Sequence, residues 1–245
     1  MDSKRNPVQD ICRSAIDVVV LCGGLGTRLS SLVADRPKPM VDINGSPFLD
    51  LLIGYVASFG FERFILCTGY RANYIKEYYQ ERIDWEVVFS EEERPMGTGG
   101  ALALAHGQIR SSVALVLNGD SFCPIDFSDF VWRFESAAAP AAMVLARIED
   151  SREYGTVQVD AGPLITSFRE KEDSGAGLVN AGIYLFESSF IGSIETGTPC
   201  SLERDLIPSQ IERGIWAYIT DRALLDIGTP ARYSQALEFF RSFPQ

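Results

Sequence analysis

The stretch Cys22-Gly23-Gly24-Leu25-Gly26-Thr27-Arg28-Leu29 follows directly on the apolar run Asp17–Cys22. Three glycines after a buried strand let the backbone approach a phosphate and turn its N–H groups toward it. The cluster also reads as an ordinary glycine-rich turn. It is not a P-loop, which needs Gly-Lys-Ser/Thr, and a dinucleotide fingerprint needs a glycine where Leu29 stands. Further on, Asp35-Arg36-Pro37-Lys38-Pro39-Met40 sets Lys38 between two prolines, which hold the backbone extended and fix where the ammonium points. Arg28 and Lys38 can therefore flank one triphosphate, although each alone also reads as a surface cation.

Two acidic positions join this set. Leu117-Asn118-Gly119-Asp120-Ser121 ends an apolar run in a carboxylate, and Leu224-Leu225-Asp226-Ile227-Gly228-Thr229-Pro230 puts another before a helix. Aspartates at the carboxyl ends of strands are placed to hold magnesium, and carboxylates distant in sequence can converge on one ion. Each also reads as a turn former or helix cap. His106 is the sole histidine, which argues against a histidine-rich zinc site and against a Ser-His-Asp mechanism. The five cysteines, Cys12, Cys22, Cys67, Cys123 and Cys200, form no CxxC pair, and reduced, mostly buried thiols are expected.

These residues need a scaffold that ends strands near one another. The continuous β-branched run Asp17–Cys22 predicts a strand buried on both faces. Further strands are expected at Arg63–Cys67, Trp85–Phe89 and Val113–Leu117, with helices at Pro47–Ser58, Ala72–Tyr79 and Gly100–Ile109 between them. This alternation predicts a doubly wound α/β fold with a mixed, mainly parallel sheet. The second half changes character. Met143–Arg147, Thr156–Val159, Ile165–Arg169 and Ala181–Phe186 read as strands with few helices between them, so antiparallel additions to the sheet are expected there. A last helix spans Pro230–Arg241. No repeat or linker interrupts the chain, and one domain over residues 1–245 is the simplest account.

Composition narrows the function classes. With a formal charge of -11, the chain repels a polynucleotide backbone, while a few cations in a cleft can still hold a small anion. Residues Met1 to Ala15 carry no apolar stretch of the signal-peptide kind, and no run reaches membrane-spanning length. A cytoplasmic protein with no membrane or nucleic-acid partner is expected.

The ordered set GGLGTRL, RPKPM, GTGGAL, NGDS, EYGTV, REKE, NAGIYLF and DIGTP resembles the sugar-1-phosphate nucleotidyltransferase family from Val18 to about Ala236. Within it, EEERPMGTGGAL and NGDSF most resemble the guanylyltransferases acting on D-glycero-D-manno-heptose 1-phosphate. Mannose-1-phosphate guanylyltransferases and glucose-1-phosphate uridylyl-, thymidylyl- or cytidylyltransferases stay open, as does a non-catalytic nucleotide-sugar-binding regulatory protein. The resemblance implies a Mg2+-dependent enzyme that joins a nucleoside triphosphate to a sugar 1-phosphate. No carboxyl-terminal β-helix domain is implied, and self-association is common in the family. Leu21, Gly23, Gly24, Gly26, Thr27, Asn118, Gly97 and Thr98 would line the nucleotide. Arg28 would bind the departing phosphates, Lys38 the α-phosphate and Lys171 the sugar phosphate. Asp120 and Asp226 would hold the metal, and Gly155, Glu170 and Asn180 would contact the sugar. Glu92 in the acidic run Glu91-Glu92-Glu93 can accept the adjacent N–H donors of guanine, or be a solvated turn residue. Arg169 and Tyr154 are further candidates for phosphate and sugar contact, with outward-facing and packing roles as alternatives.

Overall fold

The structure is a computed structural model and describes residues 12–24, 26, 35–151, 154–169 and 175–243. The first strand, β1 (Asp17–Leu21), leads through the short hairpin β2 (Asp42–Ile43) and β3 (Ser46–Pro47) into α1 (Phe48–Ala57). Then follow β4 (Arg63–Thr68), α2 (Ala72–Tyr79), β5 (Glu86–Glu91), α3 (Gly97–Ala105), β6 (Val113–Asn118) and β7 (Ser121–Phe122). The second half holds α4 (Phe127–Ala137), β8 (Ala141–Ile148), β9 (Thr156–Val159), β10 (Ile165–Arg169), β11 (Gly177–Glu187) and α5 (Ser188–Gly192). A π-helical turn at Leu202–Leu206 runs into α6 (Ile207–Ser209), and β12 (Ile215–Thr220), β13 (Leu225–Asp226) and α7 (Pro230–Ser242) follow.

The main sheet runs β5-β4-β1-β6-β11-β8-β12, with the β9–β10 hairpin joined to β11. β5, β4, β1 and β6 are mutually parallel, and β11 lies antiparallel to both β6 and β8. The expected mixed, mainly parallel sheet is present. The antiparallel additions are β11 and the hairpin, whereas β12 pairs parallel to β8.

Alternation along β1 divides the core. Val18 and Val20 face one hydrophobic cluster with Phe48 of α1, Ile75 of α2, Phe130 of α4 and Phe240 of α7. Val19 faces the other, with Leu102 of α3, Phe190 of α5 and Ile207. Helices on both faces are what an apolar strand run requires. Each fully buried Val, Leu, Ile or Phe side chain contributes about 1.5–3 kcal/mol relative to exposure.

The second half is more helical than its pattern suggested. α4 buries Phe127, Phe130, Val131 and Phe134, the i, i+3, i+4, i+7 spacing of a helix face. Asp126 caps it, its Oδ1 accepting the Ser128 and Asp129 N–H groups at 2.9 and 3.1 Å. α3 starts at Gly97 and stops at Ala105, before a 3-10 turn at His106–Gln108.

Candidate active site at the carboxyl ends of β1 and β6

From β1 the chain moves outward through β4 to β5, then returns to place β6 on the other side of β1. The strand order therefore reverses between β1 and β6, and ligands of open α/β sheets bind outside the carboxyl ends of strands at such a point. A cleft of about 510 Å³ opens there. Leu21, Gly23, Gly24 and Gly26 line one wall, with Asn118 and Asp120 beside them. Lys38, Glu92, Gly97 and Thr98 complete the rim. The glycine turn hangs from its neighbours: Cys22 N–H donates to the Cys67 carbonyl at 2.9 Å, and Gly119 N–H to the Leu21 carbonyl at 3.0 Å.

The two aspartates are brought together by a small sheet of their own. β7 pairs with β13 antiparallel, setting Asp226 opposite Ser121, the residue after Asp120. Ile227 N–H also donates to the Asp120 carbonyl at 3.1 Å. Lys38 Nζ donates to Asp120 Oδ2 at 2.5 Å, and a methyl placed on Gly228 would sit 3.6 Å from that ammonium. Lys38 thus reaches the loop that carries Asp226. The Lys38 side chain is 10% exposed and that of Asp120 43%, so the pair stands at the wall with its carboxylate open to the cleft.

Asp226 is held differently. Its Oδ1 accepts the Gly228 N–H at 2.8 Å, and its Oδ2 accepts both Tyr154 Oη at 2.8 Å and an Arg232 guanidinium N–H at 2.6 Å. Arg232 lies over the Tyr154 ring, 4.5 Å from its centroid. One face of Tyr154 is therefore covered by a guanidinium and its hydroxyl is committed to Asp226, a positioning arrangement. Neither Arg232 nor this use of Tyr154 is marked by any sequence spacing; the only signal is that Arg232 shares a helix turn with the DIGTP segment.

Glu92 is half-buried at the rim. Its Oε2 accepts the Met96 N–H at 2.9 Å. Its Oε1 packs so closely on Gly23 and Gly69 that a methyl on either would come within 2.9 or 2.5 Å. Burial raises its carboxyl above the ordinary glutamate range, and the Met96 N–H offsets part of that rise. It is not a solvated turn residue.

Gly97 has φ +70, and a side chain there would meet the Cys200 carbonyl at 2.4 Å. The same carbonyl accepts N–H groups from Gly99 and Gly100 at 3.0 and 3.3 Å. The GTGG glycines at the start of α3 are thus required by the 198–202 loop, which fills the helix end, and of them Gly97 also faces the cleft. The loop delivers Glu203, a wall residue that no motif marked. Glu203 accepts the Thr98 hydroxyl at 2.8 Å and the Asn118 amide at 3.3 Å. Asn118 keeps a buried Oδ1 without a hydrogen-bond partner among the described residues, an acceptor that a bound donor would satisfy.

Asn180 lies behind this wall. Its amide donates to Tyr184 Oη at 2.7 Å and its carbonyl accepts the Gly182 N–H at 2.9 Å, where the register of β11 against β8 shifts between Asn180 and Tyr184. Gly155 is exposed beside Tyr154. Thr27, Arg28, Glu170 and Lys171 lie outside the described residues. Arg169 closes β10.

His106 lies elsewhere, 3.2 Å from Ser188 Oγ. Cys22, Cys67 and Cys123 are buried and Cys200 half-buried, with burial raising all four thiols, Cys67 and Cys123 to about 12. They are therefore protonated packing residues rather than thiolate nucleophiles. Cys12 is exposed.

The donor set at the mouth is two aspartates. Among the described residues no three His, Cys, Asp or Glu side chains gather to hold an ion. Asp120 opens on the cleft and Asp226 stands beside it across the β7–β13 pair, a pair of hard carboxylates that matches the way Mg2+ is held, by one or two carboxylates together with phosphate oxygens of a substrate.

A fold that reverses its strand order at a glycine turn, with cations and carboxylates at the mouth, defines an α/β enzyme for phosphate-bearing ligands. The chain belongs to the nucleotidyl transferase family, whose model matches residues 17–242. It is 36% identical to the D-glycero-alpha-D-manno-heptose 1-phosphate guanylyltransferase of Campylobacter jejuni, over 89% of this chain and 97% of that one. It is 35% identical to the mannose-1-phosphate guanylyltransferase of Mycobacterium tuberculosis, over 88% of this chain but only 62% of that longer protein. In three dimensions it superposes on HddC of Yersinia pseudotuberculosis complexed with GMP-PN with a TM-score of 0.82, at 35% identity, covering 92% of this chain and 99% of that one. Among the described residues no helix is long and apolar enough to cross a membrane.

Proposed function

We propose that the chain transfers GMP from GTP to the phosphate of a sugar 1-phosphate, D-glycero-D-manno-heptose 1-phosphate above others, and releases pyrophosphate. The observation that carries this reading is the convergence of Lys38, Asp120 and Asp226 beside the glycine turn, at the strand-order reversal. The Campylobacter jejuni relative, matched over 97% of its length, supports heptose 1-phosphate as the acceptor, and the GMP-PN bound to HddC supports a guanine nucleotide.

The chemistry suits such a site. A sugar-phosphate oxygen, already anionic, attacks the α-phosphorus of GTP; the bond to the β-phosphate bridging oxygen breaks and pyrophosphate leaves. No general base is needed, in keeping with the absence of histidine from the cleft lining. The obstacles are repulsion between two anions and alignment of attacking and leaving oxygens. In this proposal Lys38 offsets charge at the α-phosphate, Arg28 at the departing phosphates and Lys171 at the sugar phosphate. Gly23, Gly24, Gly26 and Thr27 admit the triphosphate, and Gly155, Glu170 and Asn180 belong to the sugar side. Asp120 and Asp226 would hold Mg2+, which supplies charge neutralisation between the reacting phosphates. Glu92, fixed by Met96 and pressed against Gly23, would accept from guanine N1–H and N2–H.

The mycobacterial relative favours a second reading, mannose 1-phosphate as acceptor. A pyrophosphate-release assay with Mg2+, crossing GTP, ATP, UTP and CTP with heptose, mannose and glucose 1-phosphates, separates the two. Highest kcat/KM with GTP and heptose 1-phosphate is expected. Turnover only with UTP and glucose 1-phosphate would overturn both. Glu92→Gln should erode the preference for GTP over UTP and CTP, and an unchanged preference removes the guanine role.

A further inference from the structure

Both aspartates at the mouth already carry a cation from the protein: Lys38 on Asp120 and Arg232 on Asp226. We propose that Arg232 is the resting counter-ion of Asp226 and competes with the divalent cation for that carboxylate. The inference rests on the reading above that Asp226 holds the metal.

Arg232 Nη1 and Tyr154 Oη share Asp226 Oδ2, while the Gly228 N–H occupies Oδ1. A cation taking Oδ2 must move at least one of these donors, and the guanidinium, itself positive, is the one it repels. The Arg232 and Asp226 side chains are each 17% exposed, so solvent screens that repulsion only in part. Helix stability does not account for an arginine here. Arg232 sits in the first turn of α7, after the N-cap Thr229, where the helix dipole disfavours positive charge. The Tyr154 ring, 4.5 Å beneath the guanidinium, offers a surface on which the displaced charge can rest without Asp226. One divalent ion would replace two single charges on Asp120 and Asp226, so the loaded mouth gains net positive charge, with Lys38 and Arg232 turned toward the substrate phosphate that balances it.

Mn2+ binding followed by electron paramagnetic resonance, with no substrate present, tests this directly. Arg232→Gln should bind Mn2+ about tenfold more tightly than the parent, a factor equivalent to about 1.4 kcal/mol. Arg232→Lys, which keeps the charge but not the planar fork, should fall between them. Tyr154→Phe removes a neutral donor and should tighten binding less than Arg232→Gln does. Equal or weaker Mn2+ binding by Arg232→Gln overturns the proposal; should that variant fail to fold by circular dichroism, the same comparison made with Arg232→Lys decides. Asp226→Asn is the control for the underlying reading: it should weaken Mn2+ binding, and if it does not, Asp226 is no metal ligand and the metal reading is what has failed.

Discussion

Asp17 opens β1 and Asp120 follows the neighbouring strand β6 at its opposite end, and their surroundings differ in kind. Asp17 is 3% exposed and its partner Arg63 7%. Its Oδ1 accepts from Arg63 at 2.5 Å, and its Oδ2 accepts from the Arg110 and Ser111 backbones and the Ser111 hydroxyl. Arg63 goes on to Glu86 and the Gln108 carbonyl. Every acceptor is filled from within the fold. Asp120 has Lys38 on one oxygen and open cleft beside it. Buried ion pairs are tolerable when surrounding donors complete them, so the amino end of the sheet uses charge to fix strands in place. The carboxyl end leaves Asp120 incompletely satisfied, in a form a ligand can complete.

The contrast breaks most readily at Asp120. Asp120→Asn keeps size and a hydrogen bond to Lys38 but loses the charge. We expect kcat/KM to fall about 10²–10³-fold, the scale of a lost electrostatic contact in a transition state, with a thermal midpoint close to the parent's. A midpoint that falls as far as that of an Asp17 variant would mean Asp120 is structural too. The reciprocal test is Asp17→Ala. It strands Arg63 in the interior and should cost about 3 kcal/mol in denaturant unfolding, while kcat/KM of the folded fraction is retained. Acid sharpens this. Burial alone would raise the Asp17 carboxyl, but Arg63 and the Ser111 and Arg110 amides outweigh it, and the group lies below the ordinary aspartate range. Its stabilisation is therefore complete above the unfolded value of about 3.9 and is lost as pH falls through the lower folded value. Unfolding free energy measured from pH 5 downward should fall steeply for the parent and less so for Asp17→Ala.

The two ends were unequally legible in the sequence. The mouth announced itself: the glycine turn and Asp120 each sit where an apolar run stops, and Lys38 stands between two prolines, so local pattern marked them. Asp17 also borders such a run, but nothing local distinguishes a buried, saturated aspartate from an exposed one; its partners come from β4 and the segment before β6. Arg232, Glu203 and the bond of Tyr154 to Asp226 were unreadable for the same reason, since these contacts span the fold. α4 was not among the expected helices, although Asp126 as cap and apolar residues at helical spacing carry its signal. β12, the alternating Ile215–Thr220, carried a strand signal as well, but its parallel pairing with β8 is decided by the crossover rather than by its own residues.

Glu203 and Glu92 lie between the two extremes, partly satisfied and on the cleft wall. Glu203→Gln keeps one acceptor for Thr98 or Asn118 but turns an N–H₂ toward another donor. It should cost about 1 kcal/mol, read as a few-fold rise in KM for the nucleotide with little change in kcat. An unchanged KM would move Glu203 to the structural side. The smallest effect belongs to Glu92. Burial raises its carboxyl, so between the unfolded value and the raised one the folded state holds more protons than the unfolded, and stability declines as pH rises through that window. Glu92→Gln removes the titration while leaving an acceptor for the Met96 N–H. Unfolding curves from about pH 4.3, the unfolded glutamate value, to neutrality should therefore slope less for the variant, with Asp17 intact in both proteins. A steeper slope in the variant would mean that Glu92 stabilises its ionised form like Asp17, and that the cleft wall is built on the same terms as the buried end of the sheet.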